Sequence, residues 1–225
     1  MSDVARIRDA NIAYEVRGDG PVLIWGHGLS GSRVLERIAP FIDVDRLPGR
    51  VVRYDARGHG ESESTPDLTA YGWDQLARDQ LALADHLGID TYVAAGASMG
   101  CATALHAAVQ QPDRVERLVL VIPPTAWETR QAQAGEWGTV ADVIEREGVE
   151  TVIAARAERP IPDPYADDPE YGERSAAATR SWDPARLAHV MRGATYADLP
   201  VRTDIATITV PTTILAWTGD PVHPL

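Results

Sequence analysis

A serine flanked by glycines is the residue of this sequence best suited to covalent chemistry. The pentapeptide Gly96-Ala97-Ser98-Met99-Gly100 comes directly after an apolar run at residues 92–95 and before an alanine-rich segment. A G-x-S-x-G pentapeptide between a strand and a helix is typical of the sharp turn that exposes a nucleophilic serine. Taken alone, the pentapeptide also fits a plain glycine turn. The strand–turn–helix context favours a nucleophile at Ser98.

Acyl transfer at a serine requires N–H donors for the negative oxygen that develops on the substrate. We expect one donor to be the backbone N–H of Met99, the residue after the serine. The second is the backbone N–H of Leu29, which follows Gly26-His27-Gly28, since glycines let a backbone approach the substrate closely. His27 is predicted to be a buried residue that holds this loop by hydrogen bonds.

Two further polar segments follow apolar runs. The loop Asp55–Ser62 is predicted to be structural, with Asp55 and Arg57 paired and His59 outside the chemistry. Asp220 comes just after the run at residues 213–217, at the carboxyl end of a predicted strand. A carboxylate there can orient a catalytic histidine. A turn aspartate before proline is the alternative interpretation.

Short apolar runs must position these groups. They lie at residues 22–25, 51–54, 92–95, 118–122 and 213–217. Nearly unbroken runs of this length are typical of parallel strands buried on both faces. Helical patterns lie between them at residues 73–87, where Gly88 follows as a predicted helix stop, and at residues 99–110. This alternation predicts an α/β fold with a mostly parallel sheet and helices on both faces.

The alternation stops between residues 125 and 204. Helices are predicted there around residues 140–147, 149–158 and 184–197. We therefore predict a helical cap at 125–204, inserted into a core formed by residues 1–124 and 205–225.

Composition limits the partners. The 225 residues carry 21 Lys and Arg against 33 Asp and Glu, a net charge of −12. Such a chain is a poor match for nucleic acid or an anionic membrane, and a small molecule is the expected partner. The single cysteine, Cys101, excludes an internal disulfide and a multi-cysteine zinc site. Because no apolar signal core or membrane-length run occurs, a cytoplasmic location is expected.

In their order along the chain, these motifs resemble the α/β-hydrolase superfamily, in particular its capped serine hydrolases of the esterase and lactonase type. The matching segments are residues 26–28, 55–62, 96–100 and 219–224. The resemblance implies that Ser98 is the nucleophile, Asp220 the acid of a catalytic triad, and Leu29 and Met99 the oxyanion donors. It implies hydrolysis of a carboxylic ester or lactone through an acyl-serine, with no metal or organic cofactor.

The sequence departs from the family in its histidine. Family members carry the catalytic histidine after one further strand, whereas this sequence ends at Leu225. We therefore expect a truncated hydrolase, without the last strand and helix of the fold and without its general base. His223 and His189 are the resident substitutes. Either ring would have to reach both the serine and the carboxylate at about 2.6–3.2 Å.

Two alternatives to a truncated hydrolase are a ligand-binding relative without turnover and a site completed by a second chain. The run at residues 213–217 is expected to form an exposed edge strand. Because unpaired edges accept further strands, a homodimer through this edge is predicted.

Overall fold

One sheet forms the centre of the computed structural model, which describes residues 2–38, 40, 42–161, 165–218, 220 and 223. Its strands are β1 (Asp3–Ile7), β2 (Ala10–Arg17), β3 (Val22–Gly26), β4 (Arg50–Tyr54), β5 (Tyr92–Ala97), β6 (Val115–Val121) and β7 (Thr212–Leu215). They lie in the order β1-β2-β4-β3-β5-β6-β7. β1 and β2 pair antiparallel, β2 pairs antiparallel with β4, and the other pairs are parallel. The predicted α/β class is confirmed.

All five predicted strands are present, and their burial explains why the sequence shows them so clearly. Residues 51–54 of β4 are buried, as are all residues of β5 except Val93. A strand buried on both faces has no polar side to alternate with. The turn between β1 and β2 lies at Arg8 and Asp9, with Arg8 at φ 53°.

The helices of the core are α1 (Leu35–Ile38), α2 (Trp73–His86) and α3 (Met99–Gln110). α2 and α3 pack against each other and bury Leu76, Leu83 and Leu105 in the main core. α2 ends before Gly88, which adopts φ +63°. This left-handed conformation is the helix stop that the sequence predicts.

Between β6 and β7 lies a helical insert at residues 127–193. It contains α4 (Trp127–Glu147), α5 (Val149–Ala157), α6 (Tyr171–Arg180) and α7 (Pro184–Gly193), and α8 (Arg202–Ile205) follows. α4 begins 13 residues before its predicted start, and α6 was not predicted. The start of α7 is as predicted, with the Asp183 side chain accepting from the Arg186 N–H at 2.8 Å. The domain division at residues 125 and 204 stays a prediction.

β7 is the outer strand of the described sheet on its side. It pairs with β6, and Ile214 and Leu215 are 60% and 42% exposed. The homodimer expected through this edge stays a prediction. No helix within the described ranges is both long and apolar enough to cross a bilayer.

Candidate active site

Ser98 occupies the turn between β5 and α3 in a strained conformation. Its φ is 48° and its ψ −107°, outside the regions that most residues occupy. The flanking glycines make this turn sterically feasible. A Cβ atom on Gly100 would stand 2.0 Å from the carbonyl oxygen of Gly26, and one on Gly96 would stand 2.6 Å from the same oxygen. Both positions therefore require glycine, which holds β3, β5 and α3 in close contact around the serine.

His223 connects Ser98 to Asp220. Its Nε2 lies 2.9 Å from Ser98 Oγ, and its Nδ1 lies 3.0 Å from Asp220 Oδ2. The backbone N–H of His223 also donates to Asp220 Oδ1 at 3.1 Å. A carboxylate only accepts hydrogen bonds, so we assign the proton to Nδ1 and the lone pair to Nε2, facing the serine.

The structure therefore contradicts the expectation that no histidine of this chain reaches both Ser98 and Asp220. Asp220 accepts from both the backbone and the ring of His223, and this double contact leaves Nε2 directed at Ser98. The other proposed substitute, His189, lies elsewhere. Its Nε2 is 2.7 Å from the Thr65 carbonyl oxygen and its ring meets Tyr71 edge-on.

The two expected oxyanion donors lie on adjacent segments. Met99 is the first residue of α3, so its N–H has no acceptor within the helix. The loop after β3 passes beside the nucleophile, because a Cβ on Gly28 would stand 3.8 Å from Ser98 Cβ. The side chains of Leu29 and Met99 line the same cleft. Their role as donors stays a prediction.

The Asp55–Ser62 loop contacts the loop that follows β3, next to this site. His27 is buried, and its Nε2 accepts from the backbone N–H of Ala56 at 2.9 Å, which agrees with a structural role. The expected pair between Asp55 and Arg57 is wrong. Asp55 pairs with Arg33 at 3.1 Å, and Arg57 pairs with Asp79 at 3.0 Å. Each side chain finds its partner on another element, which adjacent positions in one loop could not indicate.

Sequence analysis missed the residue that fastens the helical insert to this loop. Arg186 on α7 donates to the carbonyl oxygens of Gly58 and Gly60, each at 2.9 Å, and to that of Ser62. Nearby, Trp182 Nε1 donates to the Ser30 carbonyl oxygen at 3.0 Å. An arginine on a predicted helix carries no local signal of such contacts, because its acceptors are backbone atoms 124 or more positions away.

The described side chains of His, Cys, Asp and Glu nowhere gather in a group of three that could hold a metal ion. The catalytic groups proposed from sequence are a serine, a carboxylate and backbone N–H groups, with His223 and His189 as possible bases. Of these two histidines, the structure places His223 against the serine.

Comparison with known proteins identifies the fold family. The family model described as the alpha/beta hydrolase fold matches residues 21–144. The chain belongs to this family. It is 30% identical, over 99% of its length and 80% of the relative's, to 3-oxoadipate enol-lactonase 2 of Acinetobacter baylyi. It is also 37% identical to N-formylmaleamate deformylase of Pseudomonas putida, over 61% of this chain and 50% of that protein.

Solved structures of the α/β-hydrolase family agree with this assignment. The enol-lactonase of Burkholderia xenovorans superposes with a TM-score of 0.76 at 25% identity, covering 99% of this chain and 84% of that one. The resemblance inferred from the motifs is confirmed, and by family the protein is a hydrolase.

Proposed function

We propose that this protein is a serine hydrolase that cleaves a carboxylic ester or lactone, with Ser98 as nucleophile, His223 as general base and Asp220 as the orienting carboxylate. The observation that carries the proposal is the unbroken chain of hydrogen bonds from Asp220 through His223 to Ser98. The likeness to an enol-lactonase along nearly the whole chain supports a lactone as substrate class.

In the first half of the reaction, His223 Nε2 takes the proton of Ser98 as Oγ attacks the substrate carbonyl carbon. Asp220 stabilises the imidazolium that forms, and the N–H groups of Leu29 and Met99 hold the oxyanion. The tetrahedral intermediate expels the alkoxide, which receives the proton from His223. From a lactone, this step opens the ring and leaves a hydroxyacyl group on the serine.

In the second half, His223 removes a proton from water as the water attacks the acyl-serine. Collapse of the second tetrahedral intermediate releases the carboxylic acid and returns the proton to Ser98. General-base assistance contributes about 10²–10⁴-fold to such reactions, and each oxyanion donor about 10²–10³-fold.

The test compares single variants with p-nitrophenyl acetate and δ-valerolactone as substrates. Ser98→Ala and His223→Ala should each lower kcat/KM by at least about 10²-fold. His189→Ala should have little effect, since its ring bonds to Thr65. The matched control is His86→Ala, at an exposed position near the end of α2.

Two outcomes would contradict the proposal in different ways. Ser98-dependent activity that survives in His223→Ala would mean that the base comes from elsewhere, as the sequence-based expectation of a truncated hydrolase requires. Failure of a fluorophosphonate probe to label Ser98 would instead favour the ligand-binding alternative, because only an activated serine reacts with it.

A further inference from the structure

The peptide unit between Gly28 and Leu29 carries a proposed oxyanion donor on one side and a carbonyl with two close contacts on the other. The carbonyl oxygen of Gly28 lies 2.8 Å from His27 Nδ1 and accepts from the backbone N–H of Gly31 at 2.9 Å. The N–H of Leu29, in contrast, has no acceptor among the residues that the structure describes. An N–H that is to bind a substrate oxyanion has to be unoccupied in this way.

The contacts of the His27 ring assign its tautomer. His27 is buried, and its Nε2 accepts from the backbone N–H of Ala56 at 2.9 Å. A ring nitrogen that accepts from an N–H carries a lone pair, so the proton of the neutral ring lies on Nδ1. Because the carbonyl oxygen of Gly28 only accepts, its contact with Nδ1 is a hydrogen bond that His27 donates.

A planar trans peptide transmits this bond to the oxyanion donor. The described part of the chain contains no cis peptide bond, and the carbonyl and the N–H of a trans unit point in opposite directions. By fixing the oxygen of Gly28, His27 therefore fixes the direction of the Leu29 N–H. A hydrogen bond that a carbonyl accepts also polarises the amide, and strengthens the bond that the N–H donates by about 10–30%.

The same peptide lies beside the nucleophile. A Cβ on Gly28 would stand 3.7 Å from the carbonyl oxygen of Ala97 and 3.8 Å from Ser98 Cβ. The second donor to the Gly28 carbonyl depends on a glycine, because a Cβ on Gly31 would stand 2.9 Å from that oxygen and 3.3 Å from His27 Nδ1. The residues around this peptide thus hold it firmly at the place where an oxyanion on the substrate of Ser98 would form.

We propose that His27 is a positioning residue whose Nδ1–H directs the Leu29 N–H at the oxyanion and strengthens it as a donor. This role goes beyond holding the loop, because loss of the Nδ1 donor should affect catalysis even where the contact with Ala56 is kept. The inference rests on the proposed function, since an oxyanion forms only if Ser98 attacks a carbonyl carbon. The donor binds an oxyanion more tightly than a neutral carbonyl, so its loss should affect the reaction rather than substrate binding.

Two amide substitutions separate the two contacts of the ring. In His27→Asn, the amide N–H reaches the position of Nδ1 and can still donate to Gly28, whereas the acceptor for Ala56 is lost. In His27→Gln, the amide oxygen reaches the position of Nε2 and can still accept from Ala56, whereas the donor to Gly28 is lost. Each variant removes one buried hydrogen bond, so urea unfolding should show similar losses of stability in both.

Catalysis should distinguish the two variants. His27→Gln should lower kcat/KM for p-nitrophenyl acetate and δ-valerolactone by about 10–100-fold, less than the roughly 10²–10³-fold that follows loss of a whole donor. His27→Asn should keep most of the activity. Neither variant should change the affinity for δ-valerolactone that is measured in a Ser98→Ala background.

The matched control is His59→Gln. It removes a bond of the same kind, from the Nδ1 of a buried histidine to a backbone carbonyl oxygen, that of Arg57 at 2.9 Å. This carbonyl belongs to a peptide for which no catalytic role is proposed. His59→Gln should therefore keep the kcat/KM of the unmodified protein.

A spectroscopic readout tests the bond from His27 without turnover. The dipeptide Gly-Leu occurs once in the sequence, at Gly28-Leu29. Protein labelled with ¹³C at the glycine carbonyl carbon and with ¹⁵N in leucine therefore gives a single cross-peak in an HNCO spectrum. Because a hydrogen bond to a carbonyl deshields its carbon, the ¹³C signal should move upfield in His27→Gln and stay near its original position in His27→Asn.

The outcomes separate this inference from the proposed function. Hydrolysis by the unmodified protein with equal losses in His27→Asn and His27→Gln, or with no loss in His27→Gln, would overturn the inference and leave the proposed function intact. An equal loss in His59→Gln would also overturn it, since general loosening of the two loops would then explain the effect. If the unmodified protein hydrolyses neither substrate, the proposed function fails. The cross-peak then tests the inference by itself, and an unmoved signal in His27→Gln overturns it.

Discussion

Acidification should destabilise this protein through His59, and the size of the effect follows from its burial. Removal from water disfavours the charged imidazole and lowers the pKa of His59 to about 3. The titratable groups near the ring have opposing effects on its pKa. His27 and Arg186 lower the pKa further, while Asp55 and the hydrogen bond to the Arg57 carbonyl raise it. Burial therefore decides the sign.

The change of stability with pH has the direction expected for a base that is buried in its neutral form. In the unfolded chain a histidine titrates near pH 6.5. Between about pH 3 and 6.5 the unfolded state binds one proton more than the folded state. The contribution of His59 is therefore complete above pH 6.5 and is lost as the pH falls. From pH 7.5 to 5.5 the loss amounts to about 1.4 kcal/mol of unfolding free energy, and any folded-state pKa well below 5.5 gives the same figure.

Urea unfolding followed by tryptophan fluorescence measures this loss, since the chain has six tryptophans. The protein and His59→Phe are compared at pH 7.5, 6.5 and 5.5. Other groups titrate over this range, among them His106, whose pKa burial also lowers. They are common to both proteins and cancel in the difference. The unmodified protein should lose about 1.4 kcal/mol more than His59→Phe. Equal losses would show that the folded protein accommodates a charged His59.

Three further outcomes follow from the packing. Gly100→Ala should lower the unfolding free energy by several kcal/mol or prevent folding, because its Cβ would stand 2.0 Å from a backbone carbonyl oxygen of β3. Gly135 in α4 has open space around it, so Gly135→Ala should instead raise the stability measured in thermal melts by up to about 1 kcal/mol. If the exposed edge of β7 pairs between two copies, sedimentation equilibrium should show a dimer that Ile214→Lys converts to a monomer. Arg186→Met should lower the unfolding free energy by about 1–3 kcal/mol and raise KM, because it leaves carbonyl oxygens of the Asp55–Ser62 loop without donors. An unchanged KM would show that this loop does not affect substrate binding.

The parts of the fold that sequence predicted are those whose signal is local. The strand runs, α3 and the stop at Gly88 follow from burial and conformation within a few residues. α6 carries no such signal, since Thr179 is its only buried residue. Contacts to distant segments hold it instead, such as the bond from Arg174 Nε to the carbonyl oxygen of Ile38 at 3.0 Å. No periodicity of apolar residues can indicate a helix held in this way.

The residues of the candidate site also differ in whether their signal in the sequence is local. Ser98 could be predicted because the glycines that permit its strained turn stand beside it in sequence. From sequence, His223 was only one of two possible substitute bases, because a spacing of three residues from Asp220 fits many turns. Only the folded chain shows its ring bonded to both the carboxylate and the serine. The position of the catalytic histidine in other family members instead predicted that this chain lacks its general base.

The position of His223 makes the candidate triad depend on the outermost described strand. Ser98 is fixed to the sheet interior through β5 and through its N–H, which donates to the Val121 carbonyl oxygen at 3.0 Å. Asp220 and His223 both follow β7, whose register with β6 pairs Val121 with Leu215. The carboxylate and the imidazole both lie on the segment after this ladder, so a shift of β7 along β6 should move both relative to Ser98. Because the exposed edge strand has a neighbour on one side among the described strands, its undocking would separate both groups from Ser98 while the rest of the sheet stays folded.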